Sequence, residues 1–379
     1  LRVGYGVSVL SRGLQTGGVD GIGTYTRELA KGLLAIPDVD LRPVAFGLST
    51  EQVVEAGKAG LSLPRYAGMA AMSAITPFPF IGHSALKKQV DLFHATDHLI
   101  PRLPGVPVLA TIMDAIPLSH PEWVRLNYRA LKTWLWRRAG QWADHVVTIS
   151  EYSKQDIVEQ FAIPPERVSV VPLGVDQRYF EKIDEENKAG VLKKLGLPSR
   201  FFLFIGTLQP RKNVERVIDA HATLPLEVQQ EFPMVVVGRA GWCVDALLEK
   251  LQRAEAGGTV RWLKYLPDYE ARALLQSACA LVFPSLYEGY GLPVVEAFAS
   301  RLPVITSNTT ALPEVAEGAA LMVNPLDIEE IGHAMRRIVD DAELAGELRE
   351  KGFVRAREAT WAACADKTAK LYRQLISGA

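Results

Sequence analysis

Cysteine is scarce: the 379 residues contain three, Cys243, Cys279 and Cys364. Their spacing fits neither a zinc site nor a disulfide framework, so idle thiols in a reducing cytoplasm are expected. Net charge is almost absent too, because 42 Lys and Arg face 43 Asp and Glu and leave −1 at pH 7. A chain so balanced carries no overall field to gather nucleic acid, and any basic surface is local. One uncharged stretch, Tyr66 to Leu86, lies between Arg65 and the pair Lys87 and Lys88. Gly68, Pro77, Pro79 and Gly82 interrupt it. Those breakers argue against a spanning helix and for a short apolar surface or flap. The opening LRVGYGVSVL reads as a strand and lacks the long apolar core of a signal peptide. No acidic cluster suggests a metal site, and neither Ser150 nor Ser285 has the surroundings of a nucleophilic triad.

What is present is a globular composition, 48% hydrophobic and 22% charged, in a chain long enough for two cores. Apolar runs alternate with helix-forming stretches, the mark of parallel α/β architecture. In the first half the strands are expected at 2–9, 90–94, 106–112, 145–149 and within 168–180, and helices at 24–35 and 122–142. A domain boundary is placed near residue 178, after which the alternation restarts with FFLFIG at 201–206. Strands at 233–238, 259–263, 279–283 and 303–306 follow, separated by helices at 213–222, 244–256, 268–277 and 293–299. A long helical part, 327–376, is expected to break near Gly352.

Three segments carry chemistry. In FFLFIGTLQPRKN a buried strand delivers Arg211 and Lys212 to a loop just before a helix. Ligands of open α/β sheets bind at the carboxyl ends of strands. Arg grips two phosphate oxygens at once and Lys adds a point charge, although a solvated basic turn has the same sequence. In LVFPSLYEGYGLPVVEAFAS a strand runs into a loop with Gly289 and Gly291, and Pro293 opens a helix. Such a helix start offers unpaired N–H groups to phosphate. Glu288 and Glu296 would repel a diphosphate, so their role is hydrogen bonding to hydroxyls; a loop solvator and a helix-dipole partner are the plain alternatives. The third segment is the glycine-rich stretch Gly17, Gly18, Gly21 and Gly23 after the first strand. It is not GxGxxG, so a dinucleotide site is weakly supported, and either a phosphate cover or a tight turn fits.

Taken together, these segments resemble glycosyltransferase family 4, of GT-B fold, especially bacterial polysaccharide mannosyltransferases. The resemblance covers nearly the whole chain: DGIGTYTRELA (20–30), DLFHATDHLIP (91–101), VLATIMDAIPLSHPEW (108–123), GTLQPRKN (206–213) and VFPSLYEGYGLPVVEA (282–297) carry it. It implies two Rossmann-like domains with parallel sheets facing an interdomain cleft. Residues 1–178 would form the acceptor-side domain and 179–360 the nucleotide-sugar domain, with 361–379 a helix crossing back to the first. Arg211 and Lys212 would hold the donor diphosphate, Glu288 a hydroxyl of the donor sugar, and Glu296 the ribose. Amides of Tyr290, Gly291 and Leu292 would face sugar and phosphate, and Gly21 and Gly23 would approach the phosphates. Two positions depart from the family. Met113 stands before Asp114 where His is common, leaving Asp114 to meet a sugar hydroxyl or the acceptor. Arg301 replaces a frequent Gly and is read as surface variation. His94 and His98 are expected to be structural or part of an acceptor loop.

The expected activity is retaining, metal-independent transfer of a hexose. GDP-mannose is the favoured donor, with UDP-glucose or UDP-N-acetylglucosamine next, and a nucleotide-sugar epimerase the competing enzyme class. No separate cofactor is expected. The acceptor would be a glycan or lipid-linked glycan of a bacterial surface polysaccharide. The Trp- and Arg-rich 123–142 region and the uncharged 66–86 stretch suit peripheral contact with an anionic membrane on its cytoplasmic side.

Overall fold

The computed structural model describes residues 1–16, 18–50, 53, 60–123 and 129–378. Two compact units emerge. In their described residues, one takes in Leu1–Pro121, Leu126–Gly174 and the chain from Trp361; the other takes in Val175–Thr360 with Glu122–Arg125.

The first unit is built on a seven-stranded sheet. Its strands are β1 (Arg2–Gly6), β2 (Asp40–Phe46), β3 (Leu61–Leu63), β4 (Leu92–Ala95), β5 (Val108–Thr111), β6 (His145–Thr148) and β7 (Val168–Val170), in the order β3-β2-β1-β4-β5-β6-β7. The second unit has six: β8 (Phe202–Ile205), β9 (Met234–Val237), β10 (Val260–Leu263), β11 (Ala280–Phe283), β12 (Val304–Ser307) and β13 (Leu321–Val323), in the order β10-β9-β8-β11-β12-β13. All the paired strands run parallel. These are the two Rossmann-like sheets expected. Strands such as Phe202–Ile205 are unbroken apolar runs because helices cover both faces of a parallel sheet, and Phe202, Leu203 and Phe204 are fully buried. Each sheet reverses its winding beside its first strand, between β1 and β4 and between β8 and β11. Loops leaving those two strands diverge and open a crevice, where ligands of such sheets bind.

Several local expectations need correction. The first strand ends at Gly6, and a helix, Ser8–Thr16, occupies what reads as strand and loop. The next helix starts at Gly21, not near residue 24, because Asp20 caps it by accepting from the Gly23 amide at 2.8 Å. Gly21 and Gly23 therefore sit in a helical first turn; Gly17 lies outside the described residues. Residues 66–86 are not a flap but two helices, Tyr66–Ile75 and His83–Gln89, joined by a loop. In the 122–142 region a single turn, Pro121–Trp123, and the helix Arg129–Gly140 are seen, and 124–128 lie outside the described residues. The C-terminal helical part consists of Ile328–Asp340, Ala342–Glu358 and Trp361–Ser377. Its breaks fall at Asp341 and Ala359–Thr360, since Asp341 caps a fresh helix through Leu344 N. Gly352 stays helical and is there for packing, because a Cβ would lie 2.5 Å from Cδ1 of Phe298.

The last helix packs on Gly21–Leu34 within the first unit. Among the described residues no helix is long and apolar enough to cross a membrane.

Candidate functional site

The strongest constellation lies at the switch point of the second sheet. β8 leads through Thr207–Gln209 into a single turn, Pro210–Lys212, and β11 leads into Pro284–Gly291. Leu286 N donates to Arg211 O at 2.7 Å, so the two loops are stitched together by backbone. Asn213 adopts the left-handed conformation, with φ 62°, and its amide donates to Pro284 O at 2.9 Å and Pro325 O at 2.6 Å.

The side chains converge on Glu288. Lys212 Nζ lies 2.6 Å from Glu288 Oε1, and Arg211 Nη1 lies 2.9 Å from Oε2. The same Arg211 Nη1 donates to Tyr287 O at 2.9 Å, and Nε to Gln209 Oε1 at 3.1 Å. Lys212 also sits 4.7 Å from the centre of the Phe283 ring. Burial acting alone would raise the Glu288 carboxyl, but the charges of Arg211 and Lys212 and the hydrogen bond from Lys212 outweigh it and hold it at about 2. One carboxylate thus accepts from two cations at the end of the sheet.

Beside it, Gly291 precedes the helix Leu292–Ala299 with φ 110° and ψ 53°. Only glycine takes that conformation without strain, and a Cβ would meet Leu312 Cδ2 at 2.7 Å. Pro293 occupies the first turn, and the cap residue, Gly291, makes no side-chain hydrogen bond to the helix start. Tyr290 is buried and Leu292 half-buried at this start. Glu296, half-buried one turn further on, accepts a hydrogen bond from Tyr179. Burial, together with Asp268 and Asp176, pushes its carboxyl up to about 7 despite the lowering effects of Tyr179 and Lys212.

Thus Arg211, Lys212, Glu288, Tyr290, Gly291, Leu292 and Glu296 all belong to the second unit, on the segments that follow β8 and β11. Asp114, Gly21 and Gly23 belong to the first unit. Asp114 follows β5, accepts from Ile116 N at 3.1 Å and lines a cavity of about 240 Å³ with Asp97, His98, Met113 and Trp136. Gly21 has open space around its Cβ position, whereas Gly23 is also required by packing, with Val19 Cγ1 only 2.7 Å away. His94 is buried between Tyr372 and Thr111 and is structural; His98 faces the cavity and meets Trp136 edge to face. Arg301 has φ 58°, a conformation that suits glycine, and its guanidinium lies 3.8 Å from the centre of the Phe353 ring. The sequence pattern does not single out Tyr179, Gln209 or Asp97. Nothing in the spacing of Tyr179 connects it to a glutamate so far along the chain.

Residues 19–179 match the domain of Glycosyltransferase Family 4, and residues 189–355 that of Glycosyl transferases group 1. The chain is 33% identical over 234 residues to O-antigen chain mannosyltransferase B of Escherichia coli, a match covering 61% of this chain and 60% of that protein's length. It is 32% identical over 288 residues to the MMP alpha-(1->4)-mannosyltransferase of Mycolicibacterium hassiacum, covering 72% and 66%. Among solved structures, Anabaena HepE in complex with UDP-glucose superposes with a TM-score of 0.75 at 16% identity, over 98% of this chain and 99% of that one.

Proposed function

We propose, for a chain that belongs to glycosyltransferase family 4, that it is a retaining, metal-independent glycosyltransferase moving mannose from GDP-mannose onto a glycan or lipid-linked glycan in bacterial surface polysaccharide synthesis. The observation that carries the reading is the Arg211–Glu288–Lys212 cluster beside the glycine-led start of helix Leu292–Ala299. Two cations and the amides of a helix start suit a diphosphate, and charge develops there as the nucleotide leaves. Glu288, already oriented by both cations, keeps lone pairs for a donor-sugar hydroxyl, and Glu296 accepts from the ribose. Asp114 meets a sugar hydroxyl or the acceptor, and Gly21 and Gly23 approach the phosphates.

In the proposed step the acceptor hydroxyl oxygen bonds to the anomeric carbon on the face the phosphate leaves. The bond from that carbon to the phosphate oxygen breaks and its electron pair stays on the phosphate. The hydroxyl proton passes to the same phosphate oxygen. Arg211 and Lys212 supply the counter-charge that a metal supplies elsewhere. The named O-antigen relative supports mannose and a surface glycan. UDP-glucose is the second reading, favoured by the ligand in the Anabaena structure. In this reading the acceptor is lipid-borne and the enzyme works on the cytoplasmic side of an anionic membrane.

A thermal-shift series with GDP, UDP and ADP in EDTA tests the donor site, since a bound nucleotide raises stability by mass action. GDP is expected to give the largest shift. No shift with any nucleoside diphosphate overturns the reading, and a dominant UDP shift replaces GDP-mannose by the second donor. The anomeric configuration of the product, read by NMR, tests retention.

A further inference from the structure

The end of helix Tyr66–Ile75 and the loop leading to His83–Gln89 expose three large apolar side chains within seven residues. Ile75 is 76%, Phe78 62% and Ile81 59% solvent-exposed. Isolated exposed apolar residues are ordinary, but a cluster of this kind marks an interaction surface. The loop is firmly held from behind. Phe80 is buried, with its ring 5.9 Å from Trp142, and Phe80 N donates to Arg102 O. Ser73 Oγ donates to Phe78 O at 2.8 Å, and Arg102 Nη1 to Thr76 O at 2.7 Å. The backbone is therefore fixed in a shape that presents these side chains to water.

Helix Arg129–Gly140 packs against Tyr66–Ile75 and adds Leu131 and Trp134, 61% and 44% exposed. These two lie on one stripe with exposed Arg138, at helical spacings of three and four residues. Lys87, Lys88 and Arg137 are exposed as well. No acidic residue occurs from 66 to 90 or from 129 to 143. Apolar side chains among cations match a surface that is anionic outside and hydrocarbon beneath.

We propose that this face of the first unit docks on an anionic lipid bilayer, Ile75, Phe78 and Ile81 entering the headgroup boundary while Arg138 and the lysines meet lipid phosphates. It rests on the reading that the acceptor is lipid-borne, but its test reads binding and transfer separately. The full chain is sedimented with phosphatidylcholine vesicles containing phosphatidylglycerol, at low and high salt, beside an Ile75→Ser/Phe78→Ser/Ile81→Ser variant and an Arg137→Glu/Arg138→Glu variant. Wild type is expected to bind at low salt, and the triple variant to bind about tenfold less tightly. The charge variant is expected to lose the preference for anionic over neutral vesicles. Absence of wild-type binding, or undiminished binding by the triple variant, overturns the proposal. Transfer from donor to a water-soluble acceptor is measured in the same preparations. It is expected to be unchanged in the triple variant. Loss of transfer in wild type defeats the functional reading instead, and selective loss in the triple variant with vesicle binding intact assigns the loop to the acceptor and overturns docking.

Discussion

Lys212 Nζ stands 2.6 Å from Glu288 Oε1, and both residues are more than nine-tenths buried, at 7% and 6% exposure. A cation and a carboxylate so enclosed rely on each other, because removing either leaves a charge in a poorly solvating place. Arg211 takes the second oxygen, 2.9 Å away. The relationship makes the ion cluster a built feature of the fold rather than a pair of solvated side chains in a basic turn.

Arg211→Ala or Lys212→Ala is expected to reduce turnover by about a hundredfold or more, typical of losing a group that stabilises developing charge. Single-turnover kinetics at saturating donor checks this. Transfer near the wild-type rate in both variants removes these residues from the reaction.

Acid should weaken the cluster in a defined direction. The Glu288 carboxyl is held at about 2 against an ordinary 4.5. Its stabilising contribution is present above pH 4.5 and is lost as pH falls through about 2. Urea unfolding of wild type and Glu288→Gln across that window is expected to show a steeper acid loss in wild type. Parallel curves contradict the ion cluster.

Glu296 titrates at about 7, raised from 4.5. A raised carboxyl favours the folded state below pH 4.5, and this benefit fades as pH rises to 7. Accepting ribose hydroxyls improves with ionisation. Nucleoside diphosphate affinity, measured by calorimetry, should therefore rise between pH 6 and 8. Glu296→Gln should flatten the profile. Tyr179→Phe removes a hydrogen bond that favours the charged form and should move the midpoint to higher pH.

The His94 Nδ1 to Tyr372 hydroxyl contact, 2.7 Å, ties the last helix to β4, while His94 Nε2 meets Thr111 Oγ1 at 2.8 Å. Burial lowers His94 to about 3, so it is neutral in the folded protein. Tyr372→Phe leaves a buried ring nitrogen unpaired and should cost about 1–3 kcal/mol. Denaturant unfolding measures this, with donor hydrolysis expected to persist. The stability tied to neutral His94 is present above pH 6.5 and is lost as pH falls toward 3.

Legibility differed sharply between elements. Strands such as Phe202–Ile205 and Ala280–Phe283 are continuous apolar runs, and their pattern is visible without any partner. Leu61–Leu63 and Leu321–Val323 are three residues each and carry too little periodicity to read. Gly352 illustrates the opposite error. A glycine in a helical stretch reads as a break, yet here it makes room for Phe298, a neighbour that spacing does not reveal.

The order of residue types along the chain was enough to establish parallel α/β architecture, a cation pair at the end of one strand, and two glutamates around a glycine-led helix start. Those are local properties, written in periodicity and in the conformational limits of glycine and proline. Which charges meet was settled only by folding. The winding reversal between β8 and β11 brings residues 211 and 212 to 288, and the packed core desolvates them. That desolvation, with the field of the neighbours, sends Glu288 down and Glu296 up, because the two identical side chains face different charges at distances no linear sequence records.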